Sequence, residues 1–386
     1  MTQSLASSPE DRAGAVLTVD LAALVENWRR LKAKLAPGCD MGAVVKADAY
    51  GLGLAPVARA LKDAGCTTFY VAHLDEAVAL RAAVGRDPRV VCLHGPTPGK
   101  TERDFANHNV IPVLSTAEQI KAWRTFATVA DVLMECLIQV DTGMNRLGLT
   151  AAAFTAHMND PDGFTGLHPL ALMSHLACAD TPTHPLNRLQ LERFASALST
   201  FRFKFGDAKG SLANSAGILL GPEWHYQFAR PGIALYGARA TSEGPVWPTV
   251  PVVRLAARIL QVRRVDASAP VGYGATVQAP DGARLATVSM GYADGLLRAA
   301  SPGGYGLLDG IKVPIMGRIS MDLTTFDVSL VPESSAVPGA FIEVIGAVHT
   351  VDELAREAGT VGYEILTSLG ARYHRRYLPA APPARG

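Results

Sequence analysis

Over roughly the first 240 residues, short apolar runs alternate with stretches whose apolar positions recur at helical spacing. The runs predict strands at 41–46, 68–73, 89–94, 111–114, 133–140, 170–175, 210–212 and 227–230. Helical patterns at 56–64, 75–83, 116–126 and 186–201 fall between them. Ser115 with Glu118 has the spacing of a capping box, and Asp75 and Thr150 are candidate caps for two further helices. Eight β–α units in about 230 residues match a parallel (β/α)8 TIM barrel in length and count. A doubly wound sheet also alternates, but its first β–α turn usually carries G-x-G-x-x-G. Here that turn reads Lys46-Ala47-Asp48-Ala49-Tyr50-Gly51-Leu52-Gly53.

The texture changes after Gly237. Residues 240–248 are rich in turn-formers and read as a linker. Beyond it, half-buried strand patterns dominate at 252–265, 284–290, 312–315, 322–328 and 341–345, with one helix at 351–358 capped by Thr350. The expected organisation is an N-terminal tail (1–13), a (β/α)8 barrel (14–240) and a mainly β domain (241–386).

Composition narrows the classes further. The chain has 386 residues, 48% hydrophobic and 18% charged, as a globular protein of two units does. Its net charge of +1, from 36 basic and 35 acidic residues, gives no reason to expect a nucleic-acid or anionic-membrane partner. The basic run Arg372-Tyr373-His374-Arg375-Arg376 reads as a solvated face. The polar stretch 1–14 is not read as a secretory signal, and there is no apolar run of about 18 residues to expect a membrane span from. Five scattered cysteines fit buried thiols in a reducing cytoplasm. No H-E-x-x-H, C-x-x-C or G-x-S-x-G is present, so neither a metal site nor a serine nucleophile is expected.

A barrel places its chemistry at the C-terminal ends of the strands. Those ends carry Lys46, His73, His94, Ser115, Asp141-Thr142-Gly143, His175, Asn214-Ser215 and Arg230-Pro231-Gly232. Lys46 closes a short apolar strand, where an amine can form an imine with an aldehyde cofactor. The loops after the last two strands, 213–217 and 231–233, offer small residues and free N–H groups that suit an anion. Lysine, anion cradle and arginine in one barrel mouth suggest pyridoxal phosphate. Each also has a plainer reading. His73 and His94 are read as structural, a loop arginine such as Arg146 is more often a surface ion pair, and Tyr273 can be a turn aromatic that only packs.

The chain resembles the alanine racemases. Ala43-Val44-Val45-Lys46-Ala47-Asp48-Ala49-Tyr50-Gly51 is similar to their cofactor-attachment segment. The resemblance continues through 141–148, 174–177, 213–216, 230–237, 271–274, 291–295, 317–322 and Tyr363-Glu364, in family order and across nearly the whole chain. It implies a cytoplasmic homodimer acting on a small amino acid, each site completed by the partner's second domain. Lys46 would carry pyridoxal 5'-phosphate and serve as one acid/base, and Tyr273 of the other subunit as the opposing one. Arg230 would face the pyridine nitrogen. Tyr50, Ser215, Tyr363 and the N–H groups of Gly232 and Ile233 would bind the phosphate, with Asn214 beside them and His175 next to the ring. Arg146 and the backbone at Met321 would hold the substrate carboxylate. Tyr292 and Met321 would narrow the mouth, and Asp322 would lie behind the site.

Two positions depart from the family pattern. Gln139 stands where many members have a carbamylated lysine paired with the residue at Arg146. It is expected to accept a hydrogen bond from Arg146 without supplying a charge. Ser211 stands where many have a histidine that supports the tyrosine base, so Tyr273 is expected to be tuned differently. The rival readings are a broader-specificity serine racemase, a decarboxylase of the same plan, and a carrier of the cofactor alone. Arg230 is a poor partner for decarboxylation, and the second domain with Tyr273 is hard to explain in a carrier. Because Gln139 needs no carbon dioxide, activity is expected to be independent of bicarbonate; reversible loss on bicarbonate removal overturns that expectation.

Overall fold

The computed structural model describes residues 7–243 and 247–380. Residues 1–6 of the expected tail and 244–246 of the expected linker lie outside that range. Seven parallel strands run in sequence order: Ala43–Val44, Thr68–Val71, Arg89–Cys92, Ile111–Leu114, Met134–Gln139, Leu167–Met173 and Lys209–Ser211. An eighth, Phe228–Ala229, pairs in parallel with Asp40–Met41, the front half of the first strand. It also meets the seventh, through Gln227 N–H to Gly210 O (3.0 Å) and Arg230 N–H to Ala213 O (2.9 Å), so the barrel closes. The first strand is interrupted at Gly42, where a Cβ would stand 2.7 Å from Thr68 O and press on the Tyr70 ring.

The strand patterns locate all eight barrel strands to within a few residues, but two caps differ. The helix Ala117–Ala130 is capped by Thr116, whose hydroxyl accepts from Gln119 N, and Ser115 and Glu118 form no capping box. Leu74–Val84 begins after His73, with Asp75 inside its first turn and Glu76 taking the His73 N–H. Thr150 and Thr350 cap their helices as expected.

The mainly β unit is built on the long strand Val253–Arg264, which pairs antiparallel with Phe341–Ile345, Arg284–Val288 and Ala15–Asp20. Thus Ala15–Asp20, expected with the barrel, belongs to the other sheet. On its far side lies His374–Leu378, in parallel register with Leu17 opposite Arg375. The reason is physical: Ala15, Val16, Leu17, Thr18 and Val19 are all buried, and only a two-sided sheet position covers such a run. A separate hairpin, Ala269–Val271 with Val277–Ala279, carries Tyr273 in its connection. One continuous apolar core runs through both units.

The last strand grips the segment after Lys46. Arg375 Nη2 donates to Gly51 O (3.0 Å) and Tyr377 Oη to Leu52 O (3.1 Å). Gly51 has φ +80°, and a Cβ there would collide with Leu366 O. Gly51→Ala is therefore expected to cost about 2 kcal/mol or more, from the left-handed backbone and the clash together. A lowered urea midpoint for unfolding is the measurement; an unchanged midpoint contradicts it.

Candidate active site

The C-terminal ends of the barrel strands and one edge of the β unit enclose a cavity of about 1440 Å³. Lys46, Tyr50, His94, Gln139, Arg146, His175, Asn214, Ser215, Arg230, Gly232, Ile233 and Tyr363 all line it. The lysine stands where strand gives way to an unusual turn. Ala47, Asp48, Ala49 and Tyr50 have φ of 53, 53, 53 and 56°, a left-handed turn made without glycine. That turn swings Tyr50 back over the barrel mouth, where its ring stacks on Tyr236 at 4.5 Å. Tyr363 comes from the β unit to stand 6.1 Å from Tyr50. Tyr236 Oη donates to Val44 O (2.8 Å), fixing the stack to the first strand.

The anion-suited loops meet at Ser215. Its Oγ accepts from Gly232 N–H (2.8 Å) and Ala234 N–H (3.4 Å), and Asn214 Oδ1 accepts from Gly217 N–H (2.8 Å). Gly232 must be glycine here, because a Cβ would strike the Tyr50 hydroxyl. The Ile233 N–H heads the one-turn helix Ile233–Tyr236, whose first N–H groups have no partner within the helix.

Arg230 lies buried beneath this rim. Its guanidinium donates to Ser211 Oγ, to Ser174 O (2.7 Å) and to Leu212 O (3.5 Å), none of them charged. Burial lowers its pKa to about 10, which leaves it protonated at neutral pH. Ser211 in turn donates to Phe228 O (2.8 Å). Ser211, at the end of the seventh strand, thus faces Arg230 at the end of the eighth.

His175 is held through its backbone. Gln190 Nε2 donates to His175 O (2.9 Å) and Thr142 Oγ1 (3.1 Å), while its Oε1 accepts from Ala177 N–H (2.8 Å). Enclosure first, then the charges of Arg230, Arg146 and Lys46, push the imidazole down to about 3. The same two causes lower Lys46: desolvation first, then Arg146, against an opposing pull from Glu76. His94 is lowered likewise, and its ring sits edge-on to His73 at 4.5 Å.

Gln139 does not behave as expected. Its Oε1 accepts from Ser115 Oγ (3.2 Å) and its Nε2 donates to Leu147 O (3.2 Å). That oxygen takes no bond from Arg146, which makes no hydrogen bond or ion pair among the described residues. The Arg146 loop is shaped by Asp141, whose carboxylate accepts from Gly143, Met144 and Asn145 N–H.

Tyr273, Tyr292 and Met321 do not line this cavity. They lie on the β unit, with 72%, 43% and 54% of their surface exposed, so the single chain leaves them facing outward. Tyr292 and Met321 are neighbours, joined through Tyr292 N–H to Ser320 O and Ala293 N–H to Met321 O, both 3.0 Å. Asp322, next to Met321, pairs with Arg372 (2.8 Å), which also pairs with Asp294 (2.6 Å). Sequence reasoning missed Tyr236, hidden in an apolar run, and Gln190, whose helix gives no sign of facing the barrel. It also missed Glu76, although its place three residues after His73 is a cap signal.

The comparisons with known proteins agree with this geometry. Residues 19–240 match the family model "Alanine racemase, N-terminal domain" and residues 252–377 match "Alanine racemase, C-terminal domain". An alanine racemase of Rhodospirillum rubrum is 49% identical over 95% of this chain and 97% of its own length. A catabolic alanine racemase of Mesorhizobium japonicum is 45% identical over 96% of this chain and 94% of its own. Among solved structures, the alanine racemase of Bartonella henselae with covalently bound pyridoxal phosphate superposes with a TM-score of 0.89 at 38% identity, covering 95% of this chain and 100% of the other.

The His175 shift has a thermodynamic consequence. Its folded value, about 3, lies below the ordinary histidine value of 6.5, so the unfolded chain takes up the proton first. The stability it contributes is whole above about pH 6.5 and drains away as pH falls toward 3. His175→Gln is expected to flatten unfolding free energy against pH over that window. Urea titrations at pH 7 and pH 5 test this, and an unaltered slope overturns it.

Proposed function

We propose a function from one premise: the chain belongs to the alanine racemase family. It is an amino-acid racemase, an isomerase. Our reading is that it interconverts L-alanine and D-alanine with pyridoxal 5'-phosphate, as a cytoplasmic homodimer, and supplies D-alanine for a bacterial cell wall. The observation that carries the cofactor assignment is the make-up of the cavity. One lysine of lowered proton affinity stands beside a buried arginine, two phenols and a glycine that no side chain could replace.

These residues suit the cofactor. Lys46 has the amine for its aldehyde, and Tyr50, Tyr363, Ser215 and the N–H groups of Gly232 and Ile233, with Asn214 beside them, suit its phosphate. Arg230 suits its ring nitrogen and His175 its ring edge. Bound there, pyridoxal phosphate supplies an electron sink that acidifies the Cα–H of an attached amino acid.

Lys46 Nζ, with its ammonium disfavoured by desolvation and Arg146, exchanges a proton with Cα on one face. Tyr273, on an exposed hairpin tip, serves the opposite face in the partner's site. Two groups on opposite faces allow removal on one side and return on the other. Arg230 donates a hydrogen bond and keeps its own proton, so the ring is a weaker sink than an acidic partner would make it. That bias favours rapid return of the proton over loss of carbon dioxide. Arg146, free of an ion pair, receives the substrate carboxylate together with the backbone at the partner's edge, and Tyr292 and Met321 restrict the side chain to a small one.

Lys46→Ala and Tyr273→Phe are each expected to lose alanine racemisation by more than about a hundredfold. If sites are shared, mixing the two inactive variants restores roughly a quarter of wild-type sites, because half the dimers carry one intact site of two. No recovery on mixing overturns the shared site; full activity of Tyr273→Phe overturns the second base. Faster turnover of serine or lysine than of alanine would favour a broad-specificity racemase.

A further inference from the structure

We propose that Glu76 is a positioning residue for Lys46, its carboxylate tying the left-handed turn that follows the lysine to the end of the second barrel strand. The inference rests on Lys46 being the cofactor-bearing amine. Glu76 Oε1 accepts from Ala47 N–H at 2.6 Å. Glu76 Oε2 accepts from Ala72 N–H (2.7 Å) and His73 N–H (3.1 Å). One carboxylate thus satisfies three backbone donors from two segments, and the first of them adjoins Lys46.

The need for such a restraint follows from the turn itself. Each left-handed L-residue costs about 1–2 kcal/mol against its ordinary conformations, and Ala47, Asp48, Ala49 and Tyr50 are four in succession. The far end of the turn is held by Arg375 on Gly51 O, and its middle by Asp48 Oδ1, which accepts from Leu54 N–H (2.6 Å). At the near end, Ala47 N–H is held by Glu76. Without that bond, the residue after Lys46 is free to return to right-handed space, and the amine loses its direction into the cavity.

Glu76 also carries the negative charge that opposes Arg146 at Lys46. Arg146, His94, His175 and Arg230, which line the same cavity, are basic; Tyr50, Tyr363 and the carboxylates of Asp180, Asp352 and Glu353 line it too. A plainer role exists, since Glu76 occupies the third position of the helix Leu74–Val84 and takes the N–H of its cap residue. A cap needs only Oε2. The bond from Oε1 to Ala47, across 29 positions of sequence, is surplus to it.

Glu76→Gln separates the two roles. The amide keeps the length and one acceptor, but it turns an NH₂ toward an N–H on one side or the other and removes the charge. In the full-length chain freed of cofactor, the acidity of Lys46 is read by competitive acetylation across pH with mass-spectrometric detection. The expected result is a fall in its midpoint on the order of half a pH unit or more, with a roughly tenfold loss of kcat in the reloaded enzyme. An unchanged Lys46 midpoint with only a lowered melting temperature reduces Glu76 to a helix cap and overturns the proposal. Should the variant not fold, hydrogen exchange on the wild-type chain decides. The Ala47 amide is expected to be protected, and exchange as fast as in an open loop overturns the proposal. Neither acetylation nor exchange reads alanine turnover, so this inference and the racemase reading can fail separately.

Discussion

Everything at the barrel mouth depends on keeping a left-handed turn in place. Four L-residues in succession adopt a backbone that none of them prefers, and the surrounding structure must hold them. It does so from three directions. The second barrel strand and its helix contribute Glu76, the eighth strand contributes the close approach of Gly232 to Tyr50, and the last strand of the β unit contributes Arg375 and Tyr377. The turn is therefore a junction at which both units of the chain meet. The direction of Lys46 is a property of the whole fold and not of the strand that bears it.

A second constraint is electrostatic. Lys46, Arg146, Arg230 and His175 share one enclosure, and the carbonyls and hydroxyls around Arg230 solvate it without neutralising it. Such a site lowers the proton affinity of every base in it, and it favours an anion that could relieve the strain. The two departures from the family pattern, Gln139 and Ser211, are both neutral and both serve as braces. Gln139 joins the hydroxyl of Ser115, after the fourth strand, to the Arg146 loop, and Ser211 joins the seventh strand to Arg230 and Phe228 of the eighth.

The barrel was legible in the sequence because buried parallel strands are continuous apolar runs with capped helices between them. The mouth residues Lys46, His175, Asn214, Ser215 and Arg230 follow from it directly, since they are strand ends. What could not be read is what depends on distant partners. Ala15–Asp20 falls within the expected bounds of the barrel, yet its neighbours come from residues 253–257 and 374–378. Ser211 and Gln139 stand out in the sequence as departures, but their partners are decided by side-chain direction at the barrel mouth. The charged run 372–376, read as a solvated face, holds part of a strand whose Arg375 reaches the Gly51 carbonyl across the chain. Short polar strands give no periodic signal, and pairing with a buried neighbour overrides their composition.

The pairing of Ala15–Asp20 with both Val253–Arg264 and His374–Leu378 also bears on how the protein is made. During synthesis the barrel strands emerge in spatial order, each beside the one before, and can assemble as they appear. The first strand of the β unit must wait, its apolar residues uncovered, until residues 253–257 and then 374–378 have been made. A chain with so large a sequence separation in its central sheet pays in folding speed and in exposure to misassembly. The same arrangement sets Val16 opposite His374, so residues separated by most of the chain share one sheet.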